Sequence, residues 1–337
     1  MSQLRWQIAD LPNPQLRIID QAQHRVGAGR YQGLEFLEVE AKRIVNTLKQ
    51  PGGLRFSHTI NVYRGCSRAC TYCFARPTHE YLGLGLGTDF ETKIVVKVNA
   101  VDVVRAETAP HRWGGQLIAM GTNTDPYQAA EGRYRLTRGV IEVLGQRANP
   151  FSILTKSPLV LRDVDVLTAA AARTQVRVDF SVGTLDEAVW RETEPGTTHP
   201  RKRIEAVARL NRAGIRSGVL IGPILPGMSD SPRQIGAVVA AAVEAGAVSV
   251  GCVLLHLKPG LRRHFLDWID RHHPELTERY GEWYGTRSYA PTAEQRRLSA
   301  LVRRLTHAAG GDVSVRPRRR PPATRTPPSP RQLTLGE

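Results

Sequence analysis

The sequence has few of the features that mark exported, membrane-spanning or disulfide-stabilised proteins. Its 337 residues contain only four cysteines, and aromatic residues make up 6% of the chain. The opening stretch MSQLRWQIAD has no apolar core, which argues against a secretory signal. Glu244 and Gly246 interrupt the most apolar run, 237–255, which therefore predicts a helix followed by a buried strand rather than a membrane span. The expected compartment is the cytoplasm.

Acidic residues are also scarce relative to basic ones. The chain has 47 Lys and Arg against 31 Asp and Glu, a formal net charge of +16. Part of this charge lies in a Pro-rich, low-complexity tail, 313–337, which is predicted to be disordered. The rest of the chain is still basic, as expected either for a protein that contacts nucleic-acid phosphates or for a coding bias toward Arg.

Three of the four cysteines are concentrated in one stretch, INVYRGCSRACTYCFAR. Cys66, Cys70 and Cys73 have the spacing C-x3-C-x2-C. Three thiolates suit an iron–sulfur cluster with one iron open to a small molecule, or structural zinc if His79 supplies a fourth ligand. A disulfide would leave one thiol over and does not suit a chain without a secretory signal. The ligand count favours the cluster.

Predicted strands alternate with predicted helices through most of the chain. The strands are 58–63, 93–98, 116–121, 151–155, 176–182, 217–223 and 247–255, and the helices between them are 101–108, 136–147, 163–173, 201–213 and 232–245. Such alternation predicts βαβ units around a parallel sheet. With about six repeats, the expected fold is α/β, a partial (β/α)6 TIM-like barrel.

Four segments are expected around this alternation. They are an N-terminal extension (1–55) with a helix at 35–48, a core (56–257), a helical C-terminal subdomain (258–312) and the basic tail (313–337). The C-terminal segment mixes arginines with aromatic residues, which suits packing helices or nucleic-acid contact. The GLGLG stretch at 83–87 lacks the strand–turn–helix context of a dinucleotide site and predicts a loop or lid.

Polar stretches follow several of the predicted strands. They are GTNTDPYQAAEGRYRLTRG, TKSPLVLRD, SVGTLDEAVWRETEPGT, GPILPGMSD and HLKPG. Ligands of parallel α/β folds bind at the carboxyl ends of the strands. Since the cysteine stretch follows the first core strand, these segments are expected to line one cavity with it.

The cysteine spacing, with Tyr72 before the third cysteine, resembles the cluster loop of the radical S-adenosylmethionine (SAM) superfamily. TNTDPYQ, ILTKS, EPGT and GPILPGMSD resemble its spore photoproduct lyase-like branch, the DNA repair photolyase-like proteins, over about residues 55–256. The resemblance implies a [4Fe-4S] cluster on the three cysteines and SAM on its open iron. It further implies reductive SAM cleavage to a 5′-deoxyadenosyl radical that abstracts hydrogen, and a flavodoxin- or ferredoxin-like electron donor.

The same resemblance implies which residues contact SAM. Thr124 and Asp125 would face its amino and ribose groups, Lys156 its carboxylate or ribose, and Ser181 its ribose. The backbone of Tyr72 would touch the adenine.

Three of the candidate residues have structural alternatives. Glu194 and Arg203 would complete the cavity, but Glu194 before Pro-Gly also suits a turn, and Arg203 near a helix start suits a solvated face. Asp125 before Pro126 is also a common turn initiator.

One departure bears on the reaction. Spore photoproduct lyases use a cysteine in the segment that corresponds to GTNTD as hydrogen donor, and this chain has Gly121, Thr122 and Asn123 there. Reversal of a thymine dimer adduct is therefore not supported unless Cys252 or Tyr127 substitutes. The open alternatives are an enzyme acting on nucleic acid or a nucleotide, a maturase of a peptide or small metabolite, and a metal-binding module without SAM chemistry.

The end of the tail suggests one further partner. Gln332, Leu333 and Leu335 resemble the short peptide by which bacterial DNA-processing proteins attach to the sliding clamp, although the usual final Phe is absent.

Overall fold

The computed structural model describes residues 19–48 and 56–311, and within these ranges the strands form two sheets. The strands are β1 (Gln23–Val26), β2 (Glu35–Val39), β3 (Val45–Thr47), β4 (His58–Ile60), β5 (Tyr63–Arg64), β6 (Lys93–Lys97), β7 (Ile118–Met120), β8 (Phe151–Thr155), β9 (Val176–Ser181), β10 (Arg216–Ile224) and β11 (Val250–Leu254).

The larger sheet is the frame of the fold. Its order is β11-β10-β9-β8-β7-β4-β3, with parallel pairing from β4 through β11 and antiparallel pairing of β3 with β4. Helices cover this sheet, so a central strand such as β7 is buried along its whole length and is apolar rather than alternating. The six parallel strands confirm the predicted α/β fold.

Helices lie between these strands and, for the last three, after β11. They are α1 (Thr88–Thr92), α2 (Ala100–Glu107), α3 (Ala129–Tyr134), α4 (Leu136–Gln146), α5 (Val164–Ala171), α6 (Glu187–Thr193), α7 (Pro200–Arg212), α8 (Pro232–Glu244), α9 (Pro259–His272), α10 (Thr277–Tyr284) and α11 (Thr292–Ala308). Short 3-10 helices occur at Gly29–Tyr31, Arg76–Thr78, Glu80–Leu82, Pro158–Asp163 and Pro274–Leu276.

The smaller sheet corrects two of the sequence predictions. Its order is β1-β2-β6-β5. The helix predicted at 35–48 is wrong, because this stretch forms β2 and β3. Phe36 packs into the main core and Leu37 into a separate small cluster, as expected for neighbouring residues on opposite faces of a strand. The segment predicted at 93–98 is a strand, β6, but it pairs with β2 and β5 instead of joining the barrel.

The predicted helical C-terminal region is present as α9, α10 and α11. Helix α9 buries Leu261, Phe265, Trp268 and Ile269 along one face. These side chains form a second hydrophobic cluster that also contains Cys70 and Tyr72. Helices α9 and α10 therefore pack against the cysteine loop, whereas α11 packs into the main core.

Some predictions fall on other parts of the chain. Residues 313–337, with the clamp-like Gln332, Leu333 and Leu335, lie outside the described residues, and tail disorder and clamp contact stay predictions. The four segment boundaries also stay predictions. Among the helices of the described ranges, none has the length and apolarity needed to cross a membrane.

Candidate functional site

The cysteine loop leaves β5 through a glycine that no other residue can replace without strain. Gly65 has a φ of +77°. A Cβ at this position would lie 2.8 Å from Cε1 of His79 and 2.9 Å from the carbonyl oxygen of Phe90. The next residue, Cys66, donates its backbone N–H to the same carbonyl at 2.8 Å. The loop is thereby fixed against the segment around Phe90 from its first residue.

Two of the three cysteines are buried, and the third is partly exposed. Cys66 and Cys70 are buried, and Cys73 lies between them in the packing, against Phe90 on one side and the C-terminal cluster on the other. Burial, followed by the charge of Asp125, raises the pKa of Cys66 to about 12. Burial also raises the pKa of Cys70 and of Cys73. The thiols are neutral in the protein alone and would lose their protons on binding a metal.

The donor set suits an iron–sulfur cluster. Within residues 19–48 and 56–311, no group of three His, Cys, Asp or Glu side chains is arranged so that it could hold one metal ion. Nε2 of His79 lies 2.9 Å from the carbonyl oxygen of Lys93, and its buried Nδ1 has no hydrogen-bond partner in the described residues. The thiolates of a four-iron cluster bind different irons and surround a larger volume, which suits three soft thiols on one enclosed loop.

The Arg76 side chain is hydrogen-bonded to the backbone of the cysteine loop. It is 1% exposed. Its Nε donates to the carbonyl of Cys70 at 3.0 Å, and Nη2 donates to that of Ala69 at 3.2 Å. Nη1 donates at 3.0 Å to the carbonyl of Leu86, in the GLGLG loop, and Nη2 pairs with Glu91 at 2.5 Å. One guanidinium thus ties the cysteine loop to the glycine-rich segment.

Arg76→Ala is expected to lower both stability and iron retention. The substitution leaves several buried carbonyls without a donor, and each unsatisfied group costs about 1–3 kcal/mol. A fall of about 5–10 °C in the thermal midpoint should follow. The control is Arg263→Ala, whose side chain is 92% exposed and should leave the midpoint unchanged. A wild-type midpoint and iron content for Arg76→Ala would show that the loop needs no such anchor.

Five of the predicted SAM-binding residues meet in one buried network. Lys156 donates from Nζ to Glu194 at 2.9 Å and to the Ser181 hydroxyl at 2.6 Å. Arg203 pairs through Nη2 with the other Glu194 oxygen at 2.6 Å and donates from Nη1 to the Ser181 carbonyl at 2.9 Å. The Tyr72 hydroxyl donates to Glu194. Ser181, Glu194 and Arg203 are 6%, 4% and 0% exposed, so the solvated-face alternative for Arg203 is wrong.

The charges in this network determine its protonation. Burial alone would raise the pKa of Glu194, but Lys156 and Arg203 lower it to about 2. The carboxylate is therefore ionised at neutral pH. Burial, followed by the charge of Glu194, raises the pKa of Tyr72 well above its usual value, so that hydroxyl keeps its proton. Beside Cys70, the site holds the carboxylate of Glu194, the cations Lys156 and Arg203, and the hydroxyl groups of Tyr72, Ser181 and Thr197.

Backbone contacts attach this network to the cysteine loop. The Thr71 N–H donates to the carbonyl of Thr193 at 3.0 Å, and the Gly196 N–H donates to that of Arg68 at 3.1 Å. A Cβ on Gly196 would lie 2.3 Å from the carbonyl oxygen of Ser67. The EPGT turn, which contains Glu194, can approach the loop this closely only with glycine at this position.

Thr124 and Asp125 lie in a neighbouring group with structural contacts of their own. The Thr124 hydroxyl donates to the Gly65 carbonyl at 2.6 Å. Asp125 accepts from the backbone N–H of Tyr127 at 2.9 Å, as its turn interpretation predicts. It also accepts from the backbone N–H of Lys156 at 2.9 Å, which links two strand-end loops. The structure brings these residues beside the network without placing their side chains in it.

Gln128 and Arg68 are site residues that the sequence analysis did not identify. Gln128 is fully buried. It donates to the Gly65 carbonyl at 3.0 Å and accepts from the Ser67 N–H at 3.1 Å. Arg68 donates to the Tyr127 carbonyl at 2.5 Å, while its buried Nε has no hydrogen-bond partner in the described residues and lies 3.6 Å from Asp125. Gln128 is the last residue of the TNTDPYQ stretch, and its position in that stretch was the sequence signal that could have identified it.

A second group of buried residues that the sequence did not single out lies next to the site. Glu131 and Asp163 are both fully buried. Arg162 pairs with Glu131 at 2.9 Å and with Asp163 at 2.8 Å. The Tyr63 hydroxyl donates to Glu131 at 2.6 Å and the Tyr127 hydroxyl to Asp163 at 3.1 Å. Because Tyr63 lies directly before the cysteine loop, this buried network stabilises the base of that loop.

The two substitutes considered for a hydrogen donor are both engaged elsewhere. Tyr127 is fully buried and its hydroxyl points to Asp163. Cys252 lies on β11, with Sγ 3.9 Å from the hydroxyl of Ser299 on α11. Neither polar group belongs to the network around Glu194.

Comparison with known proteins agrees with this geometry. The model of the Radical SAM superfamily matches residues 60–235. An uncharacterized protein of Mycobacterium tuberculosis is 40% identical over 312 residues, which cover 92% of this chain and 91% of the relative. An uncharacterized protein of Methanocaldococcus jannaschii is 31% identical over 203 residues, or 60% of this chain and 73% of the relative.

Among solved structures, spore photoproduct lyase has the same fold. A mutant of that enzyme with bound AdoMet and dinucleoside spore photoproduct superimposes with a TM-score of 0.62 at 17% identity, over 80% of this chain and 78% of the other.

Proposed function

This chain belongs to the radical SAM superfamily of enzymes, and on that premise we propose that Cys66, Cys70 and Cys73 hold a [4Fe-4S] cluster beside a bound SAM molecule. The observation that carries the proposal is the buried network around Glu194, adjacent to an enclosed loop of three thiols. When bound and reduced, such a cluster would supply the one electron needed for cleavage of SAM to methionine and a 5′-deoxyadenosyl radical, the species that would abstract hydrogen from a substrate.

The network has the charges and hydroxyl groups that SAM requires. SAM carries an ammonium, a carboxylate and a ribose diol, and Glu194, Lys156 and Ser181 are complementary to these groups in turn. Lys156 and Glu194 pair with each other at 2.9 Å. On binding, the ligand's own ion pair would take over part of this contact, and Arg203 would keep Glu194 ionised and oriented.

Thr124, Asp125 and Tyr72 complete the proposed SAM site at its edges. Asp125 contacts the backbone of Lys156 and would keep the two strand-end loops in register. Tyr72 lies within the cysteine loop, where its backbone could meet the adenine while its hydroxyl orients Glu194. Leu257 and Leu261 pack in the same group of buried apolar side chains as Cys70, and this packing would exclude water from the reaction.

The substrate we propose is a nucleic acid or nucleotide. The formal net charge of +16 supports a polyanionic ligand, and the lyase of similar fold is described with a dinucleoside bound. The reaction differs from that of the lyase, because Gly121, Thr122 and Asn123 provide no thiol near the GTNTD turn. A hydrogen donor other than a cysteine of that segment, or a product that needs none, is therefore expected.

Formation of 5′-deoxyadenosine tests the proposed chemistry. Protein reconstituted anaerobically with iron and sulfide and reduced with dithionite should convert SAM to 5′-deoxyadenosine and methionine in equal amounts. Omitting dithionite should stop the reaction, because the cleavage needs one electron per SAM. A reconstituted, reduced cluster that leaves SAM intact would contradict the proposal, as would stoichiometric zinc in place of iron.

A further inference from the structure

One rim of the molecule beside the cysteine loop combines aromatic rings with basic side chains. The segment that follows β11 lies next to residues 285–289, and two backbone contacts join the two segments. Leu257 donates its N–H to the Ser288 carbonyl at 2.9 Å, and His256 forms an antiparallel bridge with Tyr289. This paired segment is the frame of the rim.

Its most exposed feature is a stacked pair of rings. His256 and Tyr289 have centroids 4.1 Å apart and planes inclined by only 6°. Tyr289 is 57% exposed. Burial, with a contribution from the Lys258 charge, lowers the pKa of His256, so its ring is neutral at neutral pH. A neutral ring fixed beneath an exposed tyrosine makes a flat surface on which another planar group could stack.

Basic residues flank these rings in the chain, with Lys258 shortly after His256 and Arg287 shortly before Tyr289. The Lys258 ammonium is 5.2 Å from the ring centroid of Phe74, which is 39% exposed and follows the cluster ligand Cys73. Arg287 is exposed one residue before Ser288. Arg262, at the start of α9, donates to the Gly285 carbonyl at 3.3 Å.

Acidic side chains also occur near this rim. Glu80 has its Oε2 3.4 Å from where a Cβ on Gly260 would be, and Glu282 is exposed shortly before Gly285. A Cβ on Gly260 would also lie 3.1 Å from Cβ of Pro77, so the start of α9 approaches the segment that follows Phe74. The basic and aromatic surface is therefore continuous with the segment that follows the cysteine loop.

We propose that this rim binds an unpaired nucleotide of a single-stranded nucleic acid, with a base stacked on Tyr289 and the flanking phosphates near Lys258 and Arg287. Exposed aromatic rings between cations are the recurrent means of holding single strands without reading their sequence. A duplex hides its base faces, so a stacking surface favours an unpaired or extruded nucleotide. The inference rests on the proposed function, because Phe74 connects the rim to the ligand loop of the site.

Fluorescence anisotropy with a labelled single-stranded oligonucleotide tests this on the anaerobically reconstituted enzyme. Tyr289→Ala should weaken binding about 5- to 100-fold, the range for loss of one stacked base, whereas Tyr289→Phe should bind like wild type. Lys258→Ala should reduce the slope of log affinity against log salt by about 0.7. Arg105→Ala is the charge-matched control, since Arg105 lies on α2, outside the rim, and should leave the Tyr289-dependent stacking unaffected.

Several outcomes would overturn the inference. One is binding of the matching duplex as tightly as the single strand, and another is displacement of the labelled strand by polyphosphate or polyglutamate as readily as by unlabelled strand. Wild-type affinity of Tyr289→Ala for the strand would also overturn it. Displacement by polyglutamate would instead indicate an acidic peptide. The failures are separable: if SAM is cleaved but the strand does not bind, the rim inference alone fails, and if SAM is not cleaved, the proposed function fails whatever the strand does.

Discussion

Cys70→Ala is expected to abolish 5′-deoxyadenosine formation and to lose most of the iron that the wild-type protein takes up. Removing one of the three thiolates leaves one iron of the cluster without its protein ligand. The decrease in activity and iron content should therefore exceed the roughly 10- to 100-fold effect of changing a residue that only contacts a ligand. Of the three, Cys70 is the informative choice, because the charges of both Lys156 and Glu194 act on its thiol.

Cys252→Ala is the matched control for this experiment. Cys252 is half-buried on β11 and its thiol contacts Ser299 rather than the cysteine loop. Its removal should leave iron content, the visible absorption of the cluster and SAM cleavage close to wild type. If Cys252→Ala lost the cluster while Cys70→Ala kept it, the assignment of the ligands would be wrong.

The barrel could be predicted because its signals are local. Helix α8 illustrates this. Its apolar residues recur with the period of a helix, and Pro232 occupies the first turn. The Ser231 side chain caps the helix by accepting from the N–H of Gln234 at 3.2 Å. Each of these features can be identified within a short window of sequence, and the predicted range 232–245 differs from the observed helix by one residue.

The N-terminal segment could not be assigned in the same way. In EFLEVEAKRIVNTL the apolar residues fit either a helix or two short strands. The outcome depends on pairing with β6, where Phe36 lies opposite Ile94 and Leu37 opposite Val95. These partners are more than fifty residues away in the chain, and such tertiary pairing overrides local preference.

Some residues of the candidate site could likewise be identified from local sequence, and others depend on contacts between distant parts of the chain. The cysteine spacing is local and identifies the loop directly. Lys156 follows β8, whereas Glu194 and Arg203 both lie in the connection between β9 and β10. The sequence placed these residues at one end of the barrel but did not show that Glu194 pairs with both cations. Arg76 and Gln128 are harder still, because they act through bonds to backbone carbonyls that no side-chain pattern records.

Glu194→Ala is expected to be among the most damaging substitutions of the site. It leaves the fully buried Arg203 guanidinium without its carboxylate, and it removes the acceptor for the Tyr72 hydroxyl and one of the acceptors for Lys156. Breaking a buried ion pair from one side costs about 3–5 kcal/mol. SAM affinity should fall with stability, because the pair that orients Lys156 is lost. Asp267→Asn, at a side chain that is 59% exposed, is the control and should change neither.

Glu194→Gln separates charge from shape and has a defined pH dependence. The amide keeps the volume but offers only one acceptor oxygen, whereas both oxygens of the carboxylate accept from donors. The folded-state pKa of about 2 lies below the reference value of 4.5, so the ionised carboxylate favours the folded protein above pH 4.5. That contribution, about 3 kcal/mol in full, is lost as the pH falls toward 2.

The stability advantage of wild type over Glu194→Gln should therefore shrink as the pH is lowered from 5 to 3, and stay constant between pH 6 and pH 8. Denaturant unfolding of both proteins at each pH measures it, and their difference cancels the other carboxylates that titrate in the same range. An advantage that persisted unchanged to pH 3 would mean that Glu194 contributes through packing alone. In that case Arg203 would not depend on the carboxylate for its charge balance, and the electrostatic basis of the proposed SAM site would be lost.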